Sequence, residues 1–346
     1  MTREIYFICP NTRHPSGGIK QMYQMVDHLN ELGYQAYIVR SNSRKSIKWF
    51  KYNTKIKYYP YLFFLIKYLC VKRKSRSSFV FKWLNFFRIN RQLPSKDSII
   101  VFPEIYGENI NSILPNNYVI FNQNCFLTFN LFNIHNEADV YDSDRMLAGI
   151  TVSKNSLQYL QYTFPQTPFY RIRLGLPSIF KSGNVKKKQI TYMPRKLASD
   201  SNQVLNILRE RDVLKGWEII AIDNLSQEDV ASKLCDSAIF LSFNHQEGFG
   251  LPPVEAMASG CYIIGYAGFG GKEYLDSSYS SPILDGDIIA YAKEVERVVN
   301  VFNVNPETII DLGRRAAAFV KNEYSVENEK LDTAHIWKEI FENYKS

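Results

Sequence analysis

Between Arg40 and Lys96 this chain has 16 Lys and Arg and not one Asp or Glu. The absence of acid is local. Those cations belong to a total of 42, so 26 remain elsewhere to meet all 34 acidic residues, and the net charge of +8 is a regional property. Cysteine is also scarce: Cys9, Cys70, Cys125, Cys235 and Cys261 are scattered, with no CxxC and no metal-ligand spacing. That excludes a disulfide framework and fits reduced thiols in a cytosolic setting. No apolar run reaches the roughly 18 residues of a spanning helix. The longest, Tyr58 to Val71, is interrupted by Pro60 and Lys67. Met1 to Glu4 lead straight into a strand-like run, so no secretory leader is expected. The full GxGxxG fingerprint is missing too, which argues against a nicotinamide-dependent dehydrogenase.

What is present is an alternation of buried strands and amphipathic helices. With 346 residues, 45% apolar and 22% charged, the chain can build two cores. Ile5 to Cys9 reads as a first strand. Gly17-Gly18 opens a helical pattern in which Met22, Met25, Val26 and Leu29 share a face, Gly33 ends it, and Gln35 to Arg40 is the next strand. Such a βαβ unit points a helix N-terminus at the carboxyl edge of its sheet, where a phosphate is stabilised. Apolar strands follow at Ser98 to Phe102, ending on Pro103-Glu104, at Tyr118 to Phe121, and at Gly149 to Val152 before a helix from Asn155. Asn122, Gln123 and Asn124, directly after a strand, are site candidates on the same edge, though Asn and Gln are also ordinary loop residues. Phe164 to Lys188, rich in Pro and Gly and holding the run Lys186 to Lys188, reads as a link. The alternation then restarts: strands at Gln189 to Met193, Trp217 to Ile222, Ala238 to Phe243 and Cys261 to Ile264, with helices between them. From Asp287 onward the pattern is helical, and the last helix carries Trp337, Ile340 and Phe341 on one face. Domains are therefore expected over 1–175, with a basic aromatic insertion at 40–96, and over 176–326, with a C-terminal helix at 327–346.

The insertion mixes its cations with 14 aromatic residues and suggests helices near Tyr61 to Val71 and Phe79 to Asn90. Three readings stay open. It is an amphipathic segment on an anionic membrane surface, or a core with a solvated rim, or, least favoured, a single-stranded nucleic-acid platform.

The densest motif lies between Phe240 and Gly260. An apolar strand runs into a polar turn, Asn244-His245-Gln246, and then into Glu247-Gly248-Phe249-Gly250. Pro252 and Pro253 punctuate the start of a short helix that Gly260 closes. Glu247 is expected on the loop at the strand's end and Glu255 in the helix's first turn. The bland alternative is that Glu255 merely offsets the helix dipole.

This stretch resembles the GT-B glycosyltransferases, and among them the large retaining family usually numbered four, also called glycosyl transferases group 1. Glu247 and Glu255 reproduce that family's Glu-x7-Glu in the form EGFGLPPVEAMASG. Tyr192-Met-Pro-Arg-Lys196 resembles its strand-end Arg tract, and Gly17-Gly18 its first Gly-rich loop. The resemblance implies an α/β GT-B fold, with two Rossmann-like domains whose parallel sheets face an interdomain cleft and a C-terminal helix packing back toward the N-terminal domain. It implies a nucleotide-sugar donor and a glycan or lipid-linked acceptor, with transfer from a nucleoside-diphosphate sugar in cell-surface polysaccharide assembly. Catalytic roles fall to Glu247, which holds donor-sugar hydroxyls, and Arg195, which stabilises the leaving diphosphate. Donor binding falls to Glu255, on the ribose hydroxyls, to Gly248 and the N–H groups of Phe249, Gly250 and Leu251, to Lys196, and to Gly17 and Gly18. His14, Asn122, Gln123 and Asn124 are the acceptor-side candidates.

Two departures from the family stand out. The Lys expected a few residues after Arg195 is missing from Ala198 to Asn202, so Lys196 takes its place, and Asn122 to Asn124 stand where many relatives have a His. No cofactor and no metal are expected, because no Asp-x-Asp is read at a strand end. The chain is expected at the cytoplasmic membrane face. The alternatives are a sugar-nucleotide epimerase or phosphorylase on the same scaffold, and a non-catalytic interaction module. His245 is read as a surface histidine.

Overall fold

A computed structural model describes residues 3–12, 16–42, 47, 49–71, 92–130, 140–183 and 185–344. His14, His135 and the helix read near Phe79 to Asn90 lie outside the described residues. Residue contacts divide the chain into two compact units. The first comprises residues 1–152, 156–172 and 330–346, and the second 153–155 and 173–329.

Among the described residues the first unit holds seven parallel strands in the order β3-β2-β1-β4-β5-β6-β7. They are β1 (Glu4–Ile8), β2 (Gln35–Arg40), β3 (Ile56–Tyr58), β4 (Ile99–Pro103), β5 (Tyr118–Asn122), β6 (Met146–Thr151) and β7 (Phe169–Arg171). The central strands are almost continuous Ile, Val and Phe, buried throughout in β4 and β5. That is the composition of parallel strands covered on both faces. The helices are α1 (Gly17–Glu31), α2 (Pro60–Val71), α3 (Ile110–Ile113) and α4 (Lys154–Thr163), the last starting within the short piece assigned to the second unit. In α1, Met22, Met25, Val26 and Leu29 are buried. Gly33 terminates it at φ +89, while the Tyr34 amide donates to Leu29 O at 2.9 Å.

One feature of this unit departs from the sequence expectation, and another selects among its open readings. β3 and β7 are three-residue edge strands, too short and too polar to stand out as periodic runs, and β7 lies inside the segment read as a link. Part of the basic aromatic tract is core: Arg40 is 1% exposed and Leu62 0%. The rings of Phe50 and Tyr52 pack on Tyr23, and Lys57 pairs with Glu4 at 2.6 Å.

The second unit has five parallel strands in the order β12-β11-β10-β8-β9: β8 (Lys187–Tyr192), β9 (Glu218–Ala221), β10 (Ser237–Glu247), β11 (Tyr262–Phe269) and β12 (Ser280–Ile283). Its helices are α5 (Ala198–Glu210), α6 (Gln227–Asp236), α7 (Leu251–Ala258), α8 (Ile288–Val304) and α9 (Pro306–Glu323). Ser226 caps α6 by accepting from the Asp229 amide at 3.1 Å. Lys186 is not part of a surface charge run. It is buried, and its Nζ donates to the carbonyls of Leu234, Cys235 and Ser259 at 3.1, 2.9 and 2.6 Å. A cation is favourable at these C-terminal carbonyls of α6 and α7.

The final helix, α10 (Val326–Asn343), belongs to the first unit from Lys330 onward. Trp337 is fully buried, its ring 6.2 Å from that of Phe7. Phe341 stacks on Tyr34 at 5.3 Å, and Lys330 pairs with Glu31 at 2.7 Å. The chain end thus packs back on the N-terminal unit, as expected of a GT-B fold. Among the described residues no helix is long and apolar enough to cross a membrane.

Candidate functional site

The carboxyl edge of the second sheet is marked by its backbone. Of the five non-glycine residues with positive φ among the described residues, four follow or end adjacent strands: Leu197 after β8, Asn224 after β9, Gln246 in β10 and Phe269 ending β11. Each costs on the order of 1 kcal/mol or more and persists only where the surroundings over-determine it. Composition gives no hint of these positions.

On this edge β10 runs further than its sequence suggests. Asn244 pairs with Ala267 and Glu247 with Phe269, with a register shift between them. A bulge absorbs the extra residue and re-aims the side chains that follow. Asn244 to Gln246, read as a turn, are therefore strand, and Glu247 is its last residue rather than a loop residue. The Glu247 side chain is 16% exposed, and its Oε1 forms an ion pair with Lys196 Nζ. Burial first, and the neighbouring Arg195 charge second, lower the Lys196 pKa. The contact with the Glu247 carboxylate acts in the opposite sense. Arg195 and Lys196 sit where β8 gives way to α5, on the turn that Leu197 makes at φ +46. The structure thus brings Glu247 and Lys196 into contact, with Arg195 adjoining.

Gly250, at φ +87, is the N-cap of α7. A Cβ there would fall 2.6 Å from Asn244 Nδ2 and 2.8 Å from the Tyr274 hydroxyl, so only glycine fits. The Tyr274 hydroxyl lies 2.9 Å from the carbonyl oxygens of both Phe249 and Gly250 and donates its single proton to them. Phe249 is wedged between the rings of Tyr274 and Tyr324, at 5.3 and 5.1 Å. Gly270 lets a second backbone approach, since a Cβ on it would meet Gly248 O at 2.4 Å. The loop 248–250 is thus held from beneath where α7 begins. Glu255 is the fifth residue of α7, in its second turn, because the helix begins at Leu251 and takes both prolines into its first turn.

In the first unit Gly17 and Gly18 open α1 as expected. Gln123 Nε2 donates to Gly18 O at 2.8 Å, and a Cβ on Gly18 would strike Gln123 Oε1 at 2.0 Å. Gln123 and the glycine loop therefore form one feature. Asn122 does not lie on the accessible edge: it is 0% exposed inside β5, donating to Thr128 Oγ1 and Tyr141 OH at 2.8 and 3.1 Å. Burial in the core removes it from any acceptor. Asn124 accepts from the Phe126 amide at 3.1 Å and caps a short turn. His245 is exposed, its Nδ1 3.8 Å from Asp285 Oδ2. Asp285 also corrects the expectation of no Asp-x-Asp after a strand, for Asp285-Gly286-Asp287 follows β12. Asp287 Oδ1 is engaged, accepting from the Ala290 amide at 2.9 Å as the cap of α8.

Sequence reasoning missed Tyr274, Tyr324, Asn244 and Glu104. The tyrosines follow no spacing rule. Asn244 was read as a turn residue, yet it is buried and its Nδ2 has no partner. Glu104 follows a strand just as Asn122 does, and that signal alone could have flagged it.

Residues 213–322 match the family model described as Glycosyl transferases group 1. An alpha-1,6-glucosyltransferase of Actinobacillus pleuropneumoniae serotype 7 is 24% identical over 264 residues, covering 72% of this chain and 77% of the relative. Among solved structures, S. aureus TarM in a complex with UDP superposes with a TM-score of 0.65 at 11% identity, over 98% of this chain and all of TarM. The pneumococcal O-GlcNAc transferase GtfA, bound to UDP and GlcNAc, gives 0.64 at 10% identity with complete coverage of both chains. With its two parallel sheets and the group 1 region in its second unit, this chain is a glycosyltransferase of GT-B fold.

Proposed function

We propose that the chain transfers a hexose, with retention at the anomeric carbon and without a metal ion, from a UDP-sugar to a hydroxyl of a glycan or lipid-linked acceptor. The observation that carries this reading is the carboxyl edge of the second sheet. There Glu247, Lys196 and the loop 248–250 converge in front of the α7 N-terminus. The preference for uracil and for glucose rests on the relatives, one a glucosyltransferase and two crystallised with UDP.

Glu255 accepts hydrogen bonds from the two ribose hydroxyls, a task suited to an ionised carboxylate. The amides of Phe249, Gly250 and Leu251 face the donor sugar and the diphosphate, and Arg195 and Lys196 neutralise the charge that grows on the leaving group. In the donor complex Lys196 exchanges its contact with Glu247 for the diphosphate, and Glu247 is released to the sugar hydroxyls. In the first unit Gly17, Gly18 and Gln123 form that unit's own candidate contact surface. The displaced phosphate takes the acceptor proton on the face from which it leaves.

The working location is the cytoplasmic face of an anionic membrane, in cell-surface polysaccharide assembly. The half-exposed Tyr61, Phe63, Phe64 and Leu65 of α2, together with the cations of 72–91, supply the contact.

Thermal unfolding with UDP, GDP and their sugars tests the donor, since a ligand at 100 times its Kd adds about 2.7 kcal/mol. The native chain is expected to be stabilised by UDP-glucose and the folded Glu255→Ala variant not to be. Equal stabilisation of both, or unimpaired transfer by the variant, refutes the assignment.

A further inference from the structure

Asn244 is set between two glycines. It lies on β10 opposite Ala267 of β11, just ahead of the bulge, and is 7% exposed. On one side a Cβ on Gly268, at φ +60, would fall 2.7 Å from Asn244 Cβ. On the other, a Cβ on Gly250 would fall 2.6 Å from Asn244 Nδ2 and 2.8 Å from the Tyr274 hydroxyl. The Asn244 amide nitrogen and the tyrosine oxygen therefore approach the same face of Gly250. That hydroxyl lies 2.9 Å from the Gly250 carbonyl oxygen and as near the one of Phe249.

The donors on this face are unevenly matched to the acceptors. Tyr274 has one proton and two carbonyls share it, while the Asn244 carboxamide has two N–H protons and its buried Nδ2 has no partner. Buried polar groups are overwhelmingly paired. A donor shut away from water beside a half-served acceptor is a mismatch that a local rotation removes. Gly250 is the residue able to make it, for at φ +87 and ψ +73 it already holds a backbone conformation that side chains rarely adopt. A peptide is planar, with its N–H opposite its C=O, so turning the Gly250 carbonyl toward Asn244 swings the Leu251 amide the other way.

We propose that Asn244 is a positioning residue of the donor site. When the donor's diphosphate binds, Asn244 Nδ2 takes the Gly250 carbonyl from Tyr274, the tyrosine proton passes wholly to the Phe249 carbonyl, and the Leu251 amide is aimed at the anion. The inference rests on the reading of this edge as the donor site. A ligand shifts such an equilibrium only through its different contacts with the two forms, and here the differing contact is the Leu251 N–H. Asn244 itself touches no ligand and acts through the Gly250 peptide.

One substitution carries two expectations of opposite sense. Asn244→Leu keeps volume between the two glycines and removes a buried donor that has no acceptor, which takes away a desolvation penalty. The free variant is therefore expected to melt no lower than the native chain. Its affinity for UDP is expected to fall about tenfold, the worth of one hydrogen bond.

The test uses the full chain with asparagine, glycine and leucine labelled with ¹⁵N, titrated with UDP and followed by NMR. The Asn244 side-chain N–H₂ and the Leu251 amide are expected to shift together, at the same UDP concentration, and the Asn244 protons to exchange more slowly with water in the complex. Melting curves and UDP calorimetry of the native chain and Asn244→Leu complete it. UDP binding that leaves the Asn244 and Leu251 resonances in place overturns the exchange alone. A variant that melts below the native chain yet binds UDP as tightly makes Asn244 a mere filler and overturns it as well. No UDP binding by the native chain overturns the donor reading, and the exchange with it.

Discussion

Glu104 ties a single carboxyl to the stability of the first unit. Its folded-state pKa, about 7, stands above its ordinary value of 4.5. A raised pKa of this kind gives stability that is complete below the ordinary value and lost as pH rises through the folded one. Relative to Glu104→Gln, the native chain is therefore expected to lose up to a few kcal/mol between pH 4.5 and about 7. Melting curves of both proteins at pH 5 and pH 8 measure it. A difference that does not change with pH, or that shifts in favour of the native chain, contradicts it. Gly250 makes the opposite case, a residue whose importance lies in having no side chain. Gly250→Ala must keep φ +87 with a Cβ pressed on Asn244 and Tyr274. The expected cost is about 1–3 kcal/mol, read as a lowered Tm together with a raised donor KM. The Lys196–Glu247 pair is half-open to water, so Lys196→Met is expected to cost less than about 1 kcal/mol in stability. The same change is expected to lower kcat about a hundredfold through loss of charge at the diphosphate. A large loss of Tm with little loss of kcat would make the pair a structural clamp.

At the scale of elements, the bulge near the end of β10 and the tyrosine support beneath loop 248–250 decide the site's shape. Tyr274→Phe removes the proton held by the carbonyls of Phe249 and Gly250 and keeps the ring on Phe249. It is expected to cost about 1 kcal/mol and to raise donor KM while leaving acceptor KM unchanged. Kinetics with each substrate varied in turn check this. The same elements show what could be read in advance. β1, β4, β5 and most of β10 are unbroken apolar runs, and burial on both faces makes them so. Gly17-Gly18 and Gly33 bracket α1 because a helix start and a left-handed stop place different demands on the backbone. The bulge at Asn244 to Glu247 had no such signature. It depends on pairing with Ala267 and Phe269, 23 and 22 residues downstream of their partners, and a positive φ at Gln246 leaves no mark in composition. Arg40 and Lys186 look like surface charge in the sequence. Their burial follows only from which ring, or which helix end, the fold delivers to them.

At the scale of the whole molecule, charge is unevenly spread, and the cations of the stretch 40–96 divide by use. Arg40 is buried and Lys57 is paired, while Lys72, Arg73, Lys74 and Arg76 form the densest basic run. Binding to vesicles containing anionic lipid is expected at low salt and is expected to fade as salt shortens the screening length. At roughly 1 kcal/mol per cation near the surface, exchanging those four for Gln weakens it on the order of a hundredfold or more. Sedimentation across a salt series is the check, and salt-independent pelleting points to a different attachment. The placement of Trp337 has a consequence of another kind, one of timing. The first unit takes its strands from the start of the chain and its last buried indole from residue 337, against Phe7. During synthesis that unit waits, with an apolar face open to water, until the whole of the second has been made. The half begun first is finished last.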